Sequence, residues 1–259
     1  MKNILFLIIA IIASVTTLSA QPKYDIQRVK KKIVVDGDIT DKEWKNATWT
    51  DLFVDIQGDK KPMPKFNTRA KMLYDDNYIY IAAEMIEPQL WGTITKRDAT
   101  MYWENDFEVF IDMQGNSKNY YEFEFSPKNA QWDLMMTAPY FQGGTFNNAW
   151  NVDGMLSGVK LYGTLNDPRD VDEKWTIEIA IPFAELVTPD YGKDKVQAGD
   201  TWRMNFSRVQ WLKYHIDKNG TYQKNEGTNG FGHEENWVWA PTGFVDIHRP
   251  ATWGYVTFK

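Results

Sequence analysis

The chain has 259 residues, a formal net charge of −6 and no cysteine. Without thiols there is no disulfide framework, no lipid-modified cysteine and no thiol catalysis, so stability must come from a packed core. The mild acidity, with no basic run longer than Lys30 to Lys32, excludes the electrostatic footprint of a nucleic-acid binder.

Residues 1–20, MKNILFLIIAIIASVTTLSA, carry an early lysine, an apolar run from Ile4 to Ala13 and small or polar residues ending at Leu18-Ser19-Ala20. This is the three-part pattern of a secretory signal, with the cut expected before Gln21. The apolar run is shorter than the ~20 residues a membrane span needs. The expectation is a secreted or periplasmic protein whose residues 21–259 form one domain, with no membrane span after cleavage.

In chain order, KKIVVDG reads as a strand, and TDKEWKNA as a short helix with Thr40 or Asp41 as its N-cap. TRAKMLYDDNYIYIAAEMIE reads as two strands joined by the turn Asp75-Asp76-Asn77. Strands are then expected at DFEVFIDM, NYYEFEFS, AQWDLMMT, GVKLYGTL, KWTIEIAIPF, TWRMNFSRVQW and WGYVTFK. Alternating segments with turn residues at short intervals predict an all-β, antiparallel β-sandwich with one or two short helices. Two aperiodic stretches, PYFQGGTFNNAWNVDGM and HIDKNGTYQKNEGTNGFGHEENWVW, are rich in Gly, Asn and aromatics and read as long loops at one end, where binding residues sit.

Period two assigns the faces. Phe107, Val109 and Ile111 share one side, leaving Glu108, Phe110 and Asp112 on the other; Phe123 and Phe125 do the same, leaving Glu122 and Glu124. In TWRMNFSRVQW, Trp202, Met204 and Phe206 point one way and Arg203, Asn205 and Ser207 the other, with Arg208 next in line. The expected core adds Ile177 and Ile179, and Trp44, Trp175 and Trp202 read as core tryptophans. If the first two of these strands pair, Glu108, Glu122 and Glu124 crowd one face, which costs stability unless something satisfies them. Arg208 is the expected neutralising partner. A sugar needs an aromatic plane for its apolar face and planar charged groups for its hydroxyls. Trp103, Glu108, Glu122, Glu124, Asn205 and Arg208 are the residues expected to provide both. The other reading of this face is a solvated network of ion pairs.

At this point the sequence resembles the family 9 carbohydrate-binding modules and their stand-alone bacterial relatives. The resemblance runs through IVVDGDITDKEWKNA, AKMLYDDNYIYIAAEMIE, WENDFEVFID, NYYEFEFSPKNAQWDL, GTLNDPRDVDEKWTIEIAIPF, GDTWRMNFSRVQW and HRPATWGYVTF. It implies a β-sandwich that binds a polysaccharide or oligosaccharide without catalysis, in support of polysaccharide breakdown and in association with glycan-degrading enzymes. Modules of this kind clamp a sugar between two tryptophans. The resemblance makes Trp103 the first of them and Glu108 a polar ligand residue, although the strand here is one residue shorter between them. The second tryptophan falls within DIHRPATWG, where Ile247 or His248 stands, and Glu124 occupies the place of an arginine. These departures bear on the ligand more than on the fold.

Two other function classes fit the same residues. Glu108 and Glu122 have the chemistry of a glycosidase pair, and the loss of the second tryptophan suits a structural or interaction module. No cofactor is required by this reading. A structural calcium, which the resemblance allows, has its candidate ligands in DGDITDKE, at Asp36, Asp38, Asp41 and Glu43, where a glycine turn and helix cap account for the same residues. His215, His233 and His248 lie too far apart in sequence to suggest zinc, and no nucleophile elbow or phosphate loop occurs. Asn46-Ala47-Thr48 and Asn219-Gly220-Thr221 fit the N-glycosylation pattern.

Overall fold

The structure is a computed structural model that describes residues 20–187, 191–212, 214–224 and 234–259. The secretory-signal reading of residues 1–20, Ala20 apart, and His233 lie outside the described residues. No helix among the described residues is long and apolar enough to cross a membrane.

The described residues form fifteen strands. They are β1 (Lys23–Arg28), β2 (Val54–Asp55), β3 (Thr68–Tyr74), β4 (Tyr78–Ile86), β5 (Phe107–Asp112), β6 (Tyr120–Phe125), β7 (Gln131–Met136) and β8 (Phe146–Asn147), then β9 (Leu156–Tyr162), β10 (Lys174–Pro182), β11 (Thr201–Gln210), β12 (Tyr214–Ile216), β13 (Tyr222–Lys224), β14 (Glu235–Val238) and β15 (Gly254–Phe258). One four-residue helix, α1 (Phe183–Leu186), follows β10, and the other helical pieces are single 3-10 turns. TDKEWKNA supplies one of these at Lys42–Asn46; Asp41 holds its N-cap position without a side-chain capping bond.

Thirteen strands make one sheet with the main order β8-β7-β6-β5-β11-β15-β1-β3-β4-β10-β9, and β14 and β2 attach to the side of β11. The sheet curls on itself, so that its β5, β6 and β11 part and its β3, β4 and β10 part enclose one core. Phe107, Val109, Ile111, Phe123, Phe125, Ile177, Ile179, Met204 and Phe206 all lie in that core, fully buried, with Trp175 and Trp202. Period two is the reason, since every second side chain of these strands faces inward.

The antiparallel expectation fails at one strand. β1 runs parallel to both its neighbours, with Lys23–Ile26 opposite Tyr255–Phe258 and Gln27–Arg28 opposite Leu73–Tyr74. Its first half thus belongs to one part of the sheet and its second half to the other, and it closes the curl. Tyr24 reinforces the join by donating from its hydroxyl to Thr48 O and accepting from Met72 N at 2.9 Å.

KKIVVDG is the second difference. It is not a paired strand but an extended cover on the outer face of β3, β4 and β10, where Ile33 packs with Trp44, Leu73, Tyr80, Ala82 and Ala180. Glu178 straps it down by accepting from the Asp36 and Gly37 amides, both at 2.9 Å, and from the Trp44 indole. The approach is close enough to require glycine on both sides. A Cβ on Gly158 would meet the Asp36 backbone at 2.6 Å, and one on Gly37, whose φ is +90°, would meet Lys160 N at 2.6 Å.

Candidate functional site

Beyond the core, the other face of β5, β6, β7 and β11 is set by register. Ser207, Glu108, Glu124 and Trp132 stand opposite one another across the four strands, and Asn205, Phe110, Glu122 and Leu134 form the next row. Antiparallel pairing therefore sets Glu108 directly against Glu124, with Glu122 one row away. The segments before β5, after β7 and between β14 and β15 rise around this face as walls.

These walls enclose an open cavity of about 830 Å³. Its floor carries Glu108, Glu122, Glu124 and Val209. Trp132, Leu134, Tyr140, Phe146 and Asn148 line one side, Asp98, Thr100 and Tyr102 another, and Ile56, Glu234, Asn236 and the segment Val245 to His248 the remainder. Trp132 stacks with Tyr102, ring centroids 6.4 Å apart at 29°, and donates from its indole to Asn148 Oδ1. The cavity thus combines flat aromatic surface with a carboxylate floor.

Among the described lining residues there is no Lys or Arg, and His248 is the one base. Burial pushes its pKa down to about 4, so it is neutral at pH 7. Its Nδ1 is 3.1 Å from the Tyr120 hydroxyl, its Nε2 is 4.0 Å from Glu122, and its ring meets Tyr140 edge-on at 4.6 Å.

The floor carboxyls respond to burial and to one another. Burial raises Glu108 to about 7, with the Glu234 charge adding to the effect. Asp106, Glu122 and Glu124 are pushed well above the usual carboxylate range, first by burial and then by the charge of Glu108. A carboxyl whose folded pKa exceeds its unfolded value carries no penalty at low pH. It costs stability as pH rises through the window between the two values, which for Glu108 runs from about 4.3 to about 7. Glu124→Gln removes one such acid while keeping its shape. In chelator-containing buffer the variant is expected to melt level with the parent near pH 4 and above it at pH 8. Melting below the parent at pH 8 would contradict this electrostatic reading.

The structure brings together three of the six residues singled out in the sequence, Glu108, Glu122 and Glu124. It sends Arg208 elsewhere, which corrects the sequence reading. Arg208 shares even-numbered parity with Met204 and Phe206, so it points into the core between the two parts of the sheet. There it donates to Glu87 Oε2 at 2.9 Å, Gln210 Oε1 at 2.9 Å, and Thr68 Oγ1 and Ile86 O at 3.0 Å. Asn205 is on the carboxylate side but is fully buried, its amide donating to Ala240 O at 2.8 Å and accepting from Ala240 N at 2.9 Å. It holds the chain after β14 against β11. Trp103 ends the 3-10 turn Met101–Trp103 with 62% of its surface exposed, outside the cavity lining, while its neighbour Tyr102 faces the cavity.

Trp132, Tyr102, Tyr140 and Asp106 were not singled out from the sequence. Trp132 carried a usable signal, since the alternation of AQWDLMMT places it with Leu134, but its alignment with Glu124 follows only from the β6–β7 register. Ile247 and His248, the residues at the second tryptophan position of the resemblance, both reach the lining. In DGDITDKE two of the four carboxylates serve local turns: Asp36 accepts from Asp38 N at 2.8 Å, and Asp38 accepts from Thr40 N and also pairs with Lys160 at 2.8 Å.

Comparison with known proteins gives a consistent result. Residues 35–233 match the family described as carbohydrate family 9 binding domain-like. Among curated proteins, an endo-1,4-beta-xylanase C of Paenibacillus barcinonensis is 32% identical over 99 residues, 38% of this chain and 8% of the enzyme. The exoglucanase XynX of Acetivibrio thermocellus is 25% identical over 117 residues, 45% of this chain and 9% of the enzyme. The chain therefore matches less than a tenth of the length of either enzyme. Among solved structures, a putative carbohydrate-binding protein from Bacteroides uniformis has a TM-score of 0.64 at 14% identity, covering 93% of this chain and 100% of that one. A family 9 module from Caldicellulosiruptor kristjanssonii in complex with cellotriose has a TM-score of 0.55 at 15% identity, covering 92% of this chain and 93% of that one. At these identities the structural likeness speaks for the fold.

Proposed function

Because the chain belongs to the carbohydrate family 9 binding domain-like family, we propose that it is a non-catalytic glycan-binding protein whose ligand enters the cavity over β5, β6 and β7. The observation that carries this reading is the cavity itself, an aromatic wall of Trp132, Tyr102 and Tyr140 beside the floor of Glu108, Glu122 and Glu124. The apolar face of a pyranose stacks on such rings, and its hydroxyls donate to the carboxylates. The volume of about 830 Å³ lies toward the upper end of the ~300 to ~1,000 Å³ of small-ligand pockets and suits a short oligosaccharide.

Neighbouring structures in complex with cellotriose and with glucose, and a partial match to a xylanase, make β-1,4-linked gluco- and xylo-oligosaccharides the first ligands to try. Export through residues 1–20 and work alongside glycan-degrading enzymes belong to the same proposal. Trp103 extends the aromatic surface beyond the rim rather than forming the wall.

The test is a panel of soluble oligosaccharides and immobilised polysaccharides, followed by product analysis on the same sugars. Saturable binding with the sugars left intact is expected. Release of shorter sugars would replace this reading with hydrolysis by the glutamate pair, and no binding across the panel would leave a structural or interaction module.

A further inference from the structure

Among the described residues, the carboxylates under the cavity have no cationic side chain beside them to supply the counter-charge that a buried acidic group needs. Arg208 has turned away to Glu87, and none of the described residues that line the cavity is a lysine or arginine. Asp106, Glu108 and Glu124 each bring one carboxylate oxygen to a common point, these atoms lying within 4.8 Å of one another. Asp106 is fully buried and Glu124 is 2% exposed, yet Asp106 Oδ2 and Glu124 Oε2 have no hydrogen-bond partner. The other oxygen of Asp106 is engaged, accepting from Val209 N at 3.2 Å, which fixes the free one in place. A buried anionic oxygen with neither donor nor counter-ion is costly, and buried charges are ordinarily paired or bound to metal.

We propose that Asp106, Glu108 and Glu124 hold one divalent cation, of the calcium class, in the floor of the cavity. The donor set is three hard carboxylates with no nitrogen or sulfur, which selects calcium over zinc or copper. The spacing agrees, because two oxygens on opposite sides of an ion with bonds of ~2.4 Å stand ~4.8 Å apart. Calcium takes six to eight oxygens, so three carboxylates leave positions open. Glu108 and Glu124 line the cavity, and the open positions face the same space as the ligand. A pair of neighbouring sugar hydroxyls there completes the coordination and makes glycan binding depend on the ion. This last step rests on the glycan-binding reading; the ion site itself does not.

The experiment titrates CaCl2 into chelator-stripped full-length protein by calorimetry, with thermal melting in parallel. One ion per chain and a calcium-dependent rise in melting temperature are expected. Glu124→Gln is expected to lose both while keeping the far-ultraviolet spectrum of the parent, and Glu108→Gln is the second variant should the first fold poorly. A parent that ignores millimolar CaCl2, or a Glu124→Gln variant that binds calcium as the parent does, would overturn the site. Stabilisation of the stripped parent by a protonated amino-sugar oligomer and not by calcium would overturn it too, assigning the counter-charge to an ammonium group. If calcium binds and no glycan does, the ion site stands and the glycan reading fails; glycan binding that EDTA leaves unchanged removes the ion from recognition.

Discussion

Arg208→Ala is expected to destabilise the protein by about 3 to 5 kcal/mol in urea unfolding, the cost of breaking a buried pair by removing one partner. Arg208 and Glu87 are both almost wholly buried, and Arg208 bridges β11 to the end of β4 through Glu87 and Ile86 and to the start of β3 through Thr68. Its guanidinium also lies over the Trp237 ring at 5.1 Å. Burial already pushes the Glu87 carboxyl above its usual pKa, and the Arg208 charge opposes that rise. Without the arginine, Glu87 must either stay charged in the core or take up a proton. Replacing both residues, as in Arg208→Met with Glu87→Gln, is expected to recover much of the loss, since most of the cost is the stranded charge rather than the pair itself. A variant that keeps the stability of the parent and loses glycan binding would return Arg208 to the binding site.

Arg208 also shows how far the sequence can be read. Its neighbours in the chain suggested a place beside the glutamates, but alternation is the stronger physical rule, and it sends residue 208 to the same side as 204 and 206. Where alternation alone was used, as for Phe107 to Ile111 and Phe123 to Phe125, the core was legible residue by residue. The clustering of Glu108, Glu122 and Glu124 was legible for the same reason, because adjacent antiparallel strands place like faces together.

Long-range pairing was not legible. The parallel placement of β1 joins residues 23–26 to residues 255–258, and no local period encodes a partner at that distance. KKIVVDG has a strand's composition, but Ile33 and Val35 serve a satellite core on the outer face of the sheet. The cavity walls combine β7 with loops distant in sequence, and these meet only in the fold. That is why Trp132 was passed over and Trp103, the tryptophan nearest the carboxylates in sequence, drew attention instead.

The contrast between these two tryptophans tests the central claim most directly. Trp132 stands in register with Glu124 and forms the wall of the cavity, whereas Trp103 lies outside it. An aromatic platform that anchors a ligand is worth at least about 2 kcal/mol on truncation, which is roughly thirtyfold in Kd. The measurement is calorimetric titration of the best oligosaccharide from the panel into the parent, Trp132→Ala and Trp103→Ala, with melting curves confirming that all three are folded. The account predicts a loss of thirtyfold or more for Trp132→Ala and a change of less than about threefold, well under 1.4 kcal/mol, for Trp103→Ala. Wild-type affinity in a folded Trp132→Ala, with binding lost in Trp103→Ala, would contradict it and move the site to the exposed turn beside the cavity.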